Sequence, residues 1–213
     1  MADFLINAFV TLFVTIDPVG LAPMFLALTA GASAAARRRI AARATLIATI
    51  IFAIFFAFGQ AVLNVLGISV SAFRVAGGIL LFLIALEMVF GKRNERKSET
   101  AERAAGDQNE KDLHDIAVFP IAIPLIAGPA AISAVILMAS QAPDTLSYIG
   151  LGIVIITILC LCAIAFLLAD KIERLLGDTT QLVVTRLLGV LLAALSIQFI
   201  AEGGVDLLQS VAN

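Results

Sequence analysis

Residues 15–23 read TIDPVGLAP and residues 120–129 read PIAIPLIAGP, and these two stretches decide the fold. Both lie inside long apolar runs, yet both contain prolines, which remove a backbone hydrogen bond and clash with the preceding helical turn. The Asp-Pro pair at 17–18 and the Gly-Pro pair at 128–129 are also favourable helix starts, as N-cap and first helical residue. Each stretch therefore predicts a break at which a new half-helix begins.

The composition places these breaks in a membrane. Of the 213 residues, 61% are hydrophobic and 14% are charged, whereas an average soluble domain is roughly 45–50% apolar and about 25% charged. The mean hydropathy is +1.06. The net charge of −2 gives no basic excess for nucleic-acid binding. Soluble enzymes and nucleic-acid binders are disfavoured, and the sequence indicates a polytopic membrane protein.

Six apolar stretches are long enough, or nearly so, to cross the hydrocarbon core, which takes about 20 helical residues. They are Phe4–Thr29, Ile40–Leu66, Ala72–Phe90, Ala117–Ser140, Leu146–Ala169 and Val183–Leu208. We therefore predict an all-α fold with six transmembrane helices, in which helices 1 and 4 are broken.

An internal repeat organises these spans. Arg74 and Gly77 of the third span recur as Arg186 and Gly189 of the sixth, 112 residues later, and the Asp-Pro pair of the first span recurs as the Gly-Pro pair of the fourth, 111 residues later. Because each unit holds three helices, the second copy enters the membrane upside down. An inverted 3+3 repeat is the architecture of many secondary transporters.

The chain divides into a first repeat (1–90), a charged linker (91–116) and a second repeat (117–213). The connections after spans 1, 3 and 5 carry lysine and arginine, including Lys171 and Arg174 in the loop expected after span 5. Both termini and the other two connections carry neither residue. By the positive-inside rule, the linker is cytoplasmic and both termini lie outside.

An inverted repeat brings the two half-helix ends together from opposite sides. Their free N–H groups and positive dipole ends suit a carboxylate or another anion. The predicted substrate-binding residues are Thr15, Asp17, Pro18, Val19, Gly20, Gly128, Pro129, Ala130, Ala131 and Ser133. Simple kinks without a ligand are the alternative, since proline and glycine are common in membrane helices.

Asp17 is the strongest single candidate for a functional residue, because an acidic side chain near the middle of a membrane usually has a functional role. It could carry a coupling proton, contact a ligand ammonium, or only cap its half-helix. The second repeat has Gly128 at this position. Asn is about as good an N-cap as Asp, so we expect Asp17→Asn to insert normally and to lose gradient-driven accumulation if the charge is needed.

Other charged residues near span ends have two interpretations. Arg74 and Arg186 either act within the membrane or snorkel to opposite interfaces, and Glu87 and Glu202 are expected to snorkel likewise. Close helix packing is predicted at Gly77, Gly78 and Gly189.

Few residues support chemistry. The single histidine, His114, lies in the linker, and Cys160 and Cys162 point to different faces of a helix. We expect no metal site, no cofactor and no enzymatic activity. Without an ATP-binding motif, we expect a gradient, such as one of protons or sodium, or a partner to supply energy.

The motifs DPVGLAP at 17–23, RVAGG at 74–78, PLIAGPAAI at 124–132 and TRLLG at 185–189 resemble the MarC family of prokaryotic inner-membrane proteins, usually placed near the LysE-type exporters. The resemblance runs essentially end to end. Ala130 departs from it, because glycine usually follows the proline of the fourth span.

The resemblance implies a secondary transporter of a small neutral amino acid or similar zwitterion, since archaeal relatives are described in this way. It also implies a bacterial inner-membrane location, with both termini periplasmic. The solute carboxylate would lie at the half-helix N-termini and its ammonium near Asp17. The alternatives are an intramembrane enzyme and a non-transporting structural or regulatory protein, which predicts continuous helices in spans 1 and 4.

Overall fold

A computed structural model describes residues 1–30, 32–91 and 116–212, the side chains of 173–179, 181 and 210–212 excepted. Within these residues the chain is helical. The helical segments are α1 (Ala2–Ile16), α2 (Pro18–Leu28), α3 (Ala34–Val65), α4 (Val70–Val89), α5 (Ala117–Ile126), α6 (Pro129–Ser140), α7 (Thr145–Leu167) and α8 (Ala169–Ala212). The predicted linker, 91–116, lies outside the described residues except for its two ends.

The helices are long and apolar enough to cross a membrane. Five candidate spans satisfy this condition: Ala2–Leu28, Ala34–Val65, Val70–Val89, Thr145–Leu167 and Leu182–Gln209. The pair α5 and α6 meets the same condition when taken together and is a sixth candidate span, bent by 56° at its break. The prediction of an all-α polytopic membrane protein is confirmed, and spans 1 and 4 are the two that break.

Two helices extend beyond their predicted apolar stretches. Helix α3 begins at Ala34 rather than at Ile40, and α8 begins at Ala169, so the expected loop carrying Lys171 and Arg174 is helical. The prediction of a loop there was wrong because hydropathy marks where a helix is buried in lipid and not where it ends. Lysine, arginine, glutamate and leucine are all good helix formers and continue the helix into water.

Segment α5 is wound more widely than an α-helix and contains two extended residues. Phe119 has φ −129° and ψ 125°, and Ile123 has φ −128° and ψ 122°. Each precedes a proline, Pro120 or Pro124, and the proline ring disfavours helical dihedrals in the residue before it. The first half of span 4 is therefore irregular along its length, unlike α1.

The packing of the two halves is reciprocal, with α1 to α4 corresponding to α5 to α8. Both halves of span 1, α1 and α2, pack on α7 of the second repeat. In the same way, both halves of span 4, α5 and α6, pack on α3 of the first repeat. Helix α2 packs on α8 as α6 packs on α4, while α3–α7 and α4–α8 are each paired across the halves. This exchange of partners is the arrangement that an inverted repeat predicts.

The longest of these interfaces joins α4 to α8 in antiparallel orientation, through glycines. A Cβ placed on Gly78 would lie 3.0 Å from the Ser196 carbonyl oxygen, and one placed on Gly189 would lie 3.1 Å from the Ala85 carbonyl oxygen. The absence of side chains therefore lets the two backbones approach, as predicted for Gly78 and Gly189.

The broken spans occupy the centre of the bundle. In the most apolar part of α1 and α2, 56% of residues are buried, against 22% in α3. Exposed large side chains follow α3 at every fourth residue and mark its lipid-facing side: Leu46, Ile50, Ile54, Phe58 and Val62. The break at Asp17 is thus enclosed by other helices, where non-helical backbone is tolerated in a membrane. At the other break Gly128 is half-buried, and the extended residues Phe119 and Ile123 of α5 are exposed.

Candidate functional site

The break in span 1 is built around Asp17, which ends α1 and caps α2. Its backbone is left-handed (φ 61°, ψ 65°), a conformation in which Asp is enriched among non-glycine residues. Its N–H donates to the Phe13 carbonyl oxygen at 2.8 Å, and its Oδ1 accepts from the Gly20 N–H at 3.0 Å. Pro18 then occupies the first position of α2, where its missing N–H costs nothing.

The cap leaves space for nothing but glycine at position 20. A Cβ on Gly20 would overlap the Asp17 Oδ2 and lie 2.7 Å from the Asp17 Cγ. Asp17 is 3% exposed, so its carboxylate lies inside the protein, against the first turn of α2. The geometry supports the capping role among the three that the sequence leaves open.

The break in span 4 uses different residues for the same purpose. Ala127 ends α5, its N–H donating to the Ala122 carbonyl oxygen at 2.8 Å, and Gly128 is the extended N-cap of α6 (φ −77°, ψ 163°). A Cβ on Gly128 would lie 2.8 Å from the Pro124 carbonyl oxygen, so the chain turns too tightly for a larger residue. Gly128 brings no side-chain acceptor to this half-helix.

The predicted hydroxyl residues lie on either side of these breaks. Thr15 is 4% exposed and its hydroxyl donates to the Thr11 carbonyl oxygen at 2.6 Å, within α1. Ser133 is 8% exposed, and its Cβ lies 3.7 Å from the position that a Cβ on Gly77 would occupy. Ser133 therefore packs on α4, and Thr15 bonds to its own helix.

A cavity of about 460 Å³ opens at the start of α6, against the second half of α4. Its described lining residues are Leu80, Leu83, Ile84, Leu86, Glu87, Phe90, Pro129 and Ala130. Glu87 is the charged member of this set, and its Oε2 atom is fully buried. Among its described lining residues, the cavity combines an apolar wall, one carboxylate and the first turn of a half-helix.

The predicted site residues separate into two groups. Pro129 and Ala130 line the cavity, and Ala131 follows them on α6. Asp17 to Gly20 belong to the other break and are not among the described residues that line it. The two broken spans are nevertheless adjacent, because α1 packs against α6.

Glu87 lines this cavity, which sequence reasoning did not predict, since we expected it to snorkel at a span end. A usable signal was present: Leu80, Ile84 and Glu87 follow one another at helical spacing on one face of α4. The Gly77 that precedes this face already indicated close approach by another helix. A carboxylate on the face of a helix that packs against another helix lies closer to that helix than to the lipid headgroups.

Arg74 forms ion pairs inside the protein. Its Nη1 lies 2.9 Å from Asp206 Oδ2 and 3.9 Å from Glu202 Oε2, with the arginine side chain 16% exposed and both acids about half exposed. These contacts join the start of α4 to the end of α8. Its counterpart Arg186 has Nη2 3.7 Å from the position that a Cβ on Gly91 would occupy.

Comparison with known proteins agrees with this architecture. The model of the MarC family of integral membrane proteins matches residues 2–208. A UPF0056 membrane protein of Archaeoglobus fulgidus is 35% identical, over 98% of this chain and 96% of its own. The UPF0056 membrane protein YhcE of Escherichia coli is 38% identical over 92% and 89%, and YvbG of Bacillus subtilis is 34% identical over 95% of both. No solved structure matches the chain. The chain belongs to the MarC family of integral membrane proteins.

Proposed function

We propose that this protein is a secondary transporter that moves a small neutral amino acid, or a similar zwitterionic solute, across the membrane. The observation that carries the proposal is the pair of breaks. Two corresponding spans, both central in the bundle, begin new half-helices at Pro18 and Pro129, and the second opens into a cavity. Half-helix N-termini at corresponding positions of two repeats are typical of transporter binding sites.

The chemistry of a zwitterion fits this arrangement. The first turn of a half-helix has free N–H groups that hydrogen-bond a carboxylate, and its dipole favours the negative charge. At the first break the Gly20 N–H already donates to Asp17 Oδ1, so the solute carboxylate binds at the uncapped first turn of α6, near Ala130–Ala131. A carboxylate of the protein balances the solute ammonium.

A non-transporting structural or regulatory protein is the second candidate. Such a protein has no need for unwound backbone at the centre of its bundle, and continuous helices in spans 1 and 4 would favour it. The breaks at Asp17 and Gly128 favour transport instead, because each gives up helical hydrogen bonds in a region without water.

Uptake into proteoliposomes tests the proposal. Purified protein is reconstituted, and entry of labelled glycine and alanine is measured under an imposed pH gradient, an imposed sodium gradient, or neither. We expect gradient-dependent accumulation above the level of empty liposomes, and the effective gradient identifies the coupling ion. No flux of either amino acid, or of a panel of related zwitterions, would contradict the proposal.

We further propose that the protein lies in the bacterial inner membrane with its linker cytoplasmic and both termini periplasmic. Arg37, Arg38 and Arg39 lie in the first two turns of α3, next to its connection with α2, and support this orientation by the positive-inside rule. Alkaline phosphatase fused after Asn213 should be active, and the same enzyme inserted in the linker should be inactive. The reverse pattern would overturn the orientation.

A further inference from the structure

We propose that the outer face of α8 is a dimer interface, at which two copies of this chain pair in parallel through a seam centred on Gln198. The seam consists of residues that recur along α8 at alternating spacings of four and three: Leu187, Leu191, Ala194, Gln198, Ala201, Val205 and Leu208. The inference concerns assembly and does not depend on the proposed transport.

The seam lies on the outer face of α8. Its four leucine and valine residues are 52–74% exposed, and its alanines and Gln198 are exposed as well. The opposite face of α8 is buried, and Gly189, Ser196 and Gly203 of that face lie against α4. Each seam residue follows a residue of the buried face by two positions, which places the two faces about 200° apart around the helix. Among the described residues, the seam is therefore left without a packing partner.

The spacing of the seam is typical of a helix that pairs with another helix. Alternate steps of four and three residues average 3.5, the repeat at which two helices keep the same faces in contact as they coil around each other. The seam keeps this repeat from Leu187 to Leu208, over about six helical turns. Contact with lipid requires only apolar side chains, so a polar residue inside this seam indicates contact with protein.

Gln198 is that polar residue, and it lies at an exposed position near the middle of the candidate span Leu182–Gln209. Its Nε2 donates to Glu202 Oε1 at 3.0 Å, which uses one of the two N–H groups of the amide. Lipid tails offer no partner to the second N–H or to the carbonyl oxygen, and an amide without partners in hydrocarbon is costly. A polar group on a second helix offsets this cost, because glutamine side chains form hydrogen bonds between membrane helices.

A second copy of the chain supplies the group that Gln198 requires. An amide both donates and accepts, so one glutamine side chain is complementary to another. Copies inserted in the same orientation have Gln198 at the same depth, and a two-fold axis along the membrane normal brings the two side chains together. Ala194 and Ala201, about one turn to either side, are small and allow the two helices to approach. In parallel helix dimers, a single polar residue at such a seam position fixes the register.

The repeat separates Gln198 from the requirements of the fold. Its counterpart 112 residues earlier, in α4, is Leu86, a half-buried apolar residue. The shared three-helix arrangement therefore forms without an amide at this position. A pairing surface on α8 explains the amide, whereas the packing of the repeat does not.

Disulfide trapping in native membranes tests the interface. Single cysteines are placed at seam positions 191 and 205, which leave Gln198 intact, in a Cys160→Ala/Cys162→Ala background. We expect Leu191→Cys and Val205→Cys to be cross-linked by copper phenanthroline to a product of twice the chain mass on a non-reducing gel. Ile153→Cys on α7 is the matched control, because Ile153 is 64% exposed but lies outside the seam. This control should stay monomeric.

Replacing the amide tests its role in association. Gln198→Leu should raise the monomer–dimer dissociation constant in liposomes by about threefold to thirtyfold, measured by energy transfer between labelled copies over a series of protein-to-lipid ratios. Gln198→Asn retains an amide and should recover part of the affinity. Gln60→Leu, which removes an exposed amide of α3, should associate like wild type. The circular dichroism of Gln198→Leu should match that of wild type, which separates lost association from lost folding.

Three results would overturn the inference. The first is cross-linking of Leu191→Cys and Val205→Cys no stronger than that of Ile153→Cys. The second is a cross-linked product whose mass differs from twice that of the chain, which would assign this face of α8 to another protein. The third is unchanged association of Gln198→Leu at wild-type helical content, which would remove Gln198 from the interface.

Discussion

The carboxylate of Asp17 and the backbone of Gly20 are fitted to each other at the break in span 1. Oδ1 of Asp17 accepts the Gly20 N–H at 3.0 Å, and a Cβ on Gly20 would lie 2.7 Å from the Asp17 Cγ. The capping bond that starts α2 therefore depends on the absence of a side chain three residues later. Proline and glycine in this span act together as a helix start, and not as two separate kinks.

Gly20→Ala should accordingly destabilise the protein, because its Cβ displaces the Asp17 side chain and breaks the cap. We expect a loss of about 1–3 kcal/mol, as for overpacking a close-packed site, measured as a lower thermal midpoint in detergent. Gly204→Ala is the matched control, since nothing lies within 4 Å of a Cβ at that position. Equal effects of the two substitutions would contradict the fit between Asp17 and Gly20.

The Asp17 side chain itself is predicted to be replaceable by asparagine and not by alanine. Asparagine keeps an acceptor for the Gly20 N–H and tolerates the left-handed backbone, so Asp17→Asn should unfold within about 0.5 kcal/mol of wild type. Asp17→Ala should lose about 1 kcal/mol, the ordinary value of an N-cap. If asparagine costs as much as alanine, the charge of Asp17 matters beyond the cap.

Two adjacent glycines of α4 should respond differently to substitution. A Cβ on Gly78 would lie 2.8 Å from Ile200 Cγ1 and 3.0 Å from the Ser196 carbonyl oxygen, whereas a Cβ on Gly77 meets only Ser133, at 3.7 Å. Gly78→Ala should lower the thermal midpoint, because a backbone atom of α8 cannot give way. Gly77→Ala should leave it unchanged or raise it, since alanine is the better helix former. The opposite order would mean that α4 and α8 pack in another register.

The ion pair of Arg74 should be measurable by double-mutant cycles. We expect Arg74→Gln and Asp206→Asn to be coupled by up to about 1 kcal/mol, because the acid is half exposed and its interaction is screened by solvent. Coupling with Glu202→Gln should be smaller, since that contact is longer, at 3.9 Å. Urea or thermal unfolding of the four variants in each cycle provides the values, and a larger coupling to Glu202 would contradict the geometry.

The sequence predicts the number of spans, their breaks and the repeat, because these features follow from composition and from motifs that recur along the chain. Apolar length gives the spans, Asp-Pro and Gly-Pro pairs give the breaks, and the recurrence of the Arg74 motif at Arg186 gives the repeat. These patterns are local in the sequence or recur at one offset, so they can be recognised without knowing which helices contact each other.

What the sequence could not predict depends on contacts between helices. The partner of Arg74 lies 132 residues away in the chain, and the assignment of Glu87 to a cavity requires knowing that α6 begins beside α4. Hydropathy also fails at the ends of α3 and α8, where charged residues continue a helix into water. The left-handed dihedrals of Asp17 likewise arise from joining two helices at one residue.

Covalent blockade of the cavity tests most directly whether the solute crosses the membrane there. Leu83 lines the cavity and is 52% exposed, so Leu83→Cys in a Cys160→Ala/Cys162→Ala background presents one thiol to a bulky reagent. The control background retains Cys160, which is exposed on α7. We predict that labelling at position 83 abolishes alanine uptake into proteoliposomes, that alanine slows this labelling, and that labelling of Cys160 leaves uptake unchanged. Undiminished uptake after complete labelling at position 83 would contradict transport through the cavity between α4 and α6.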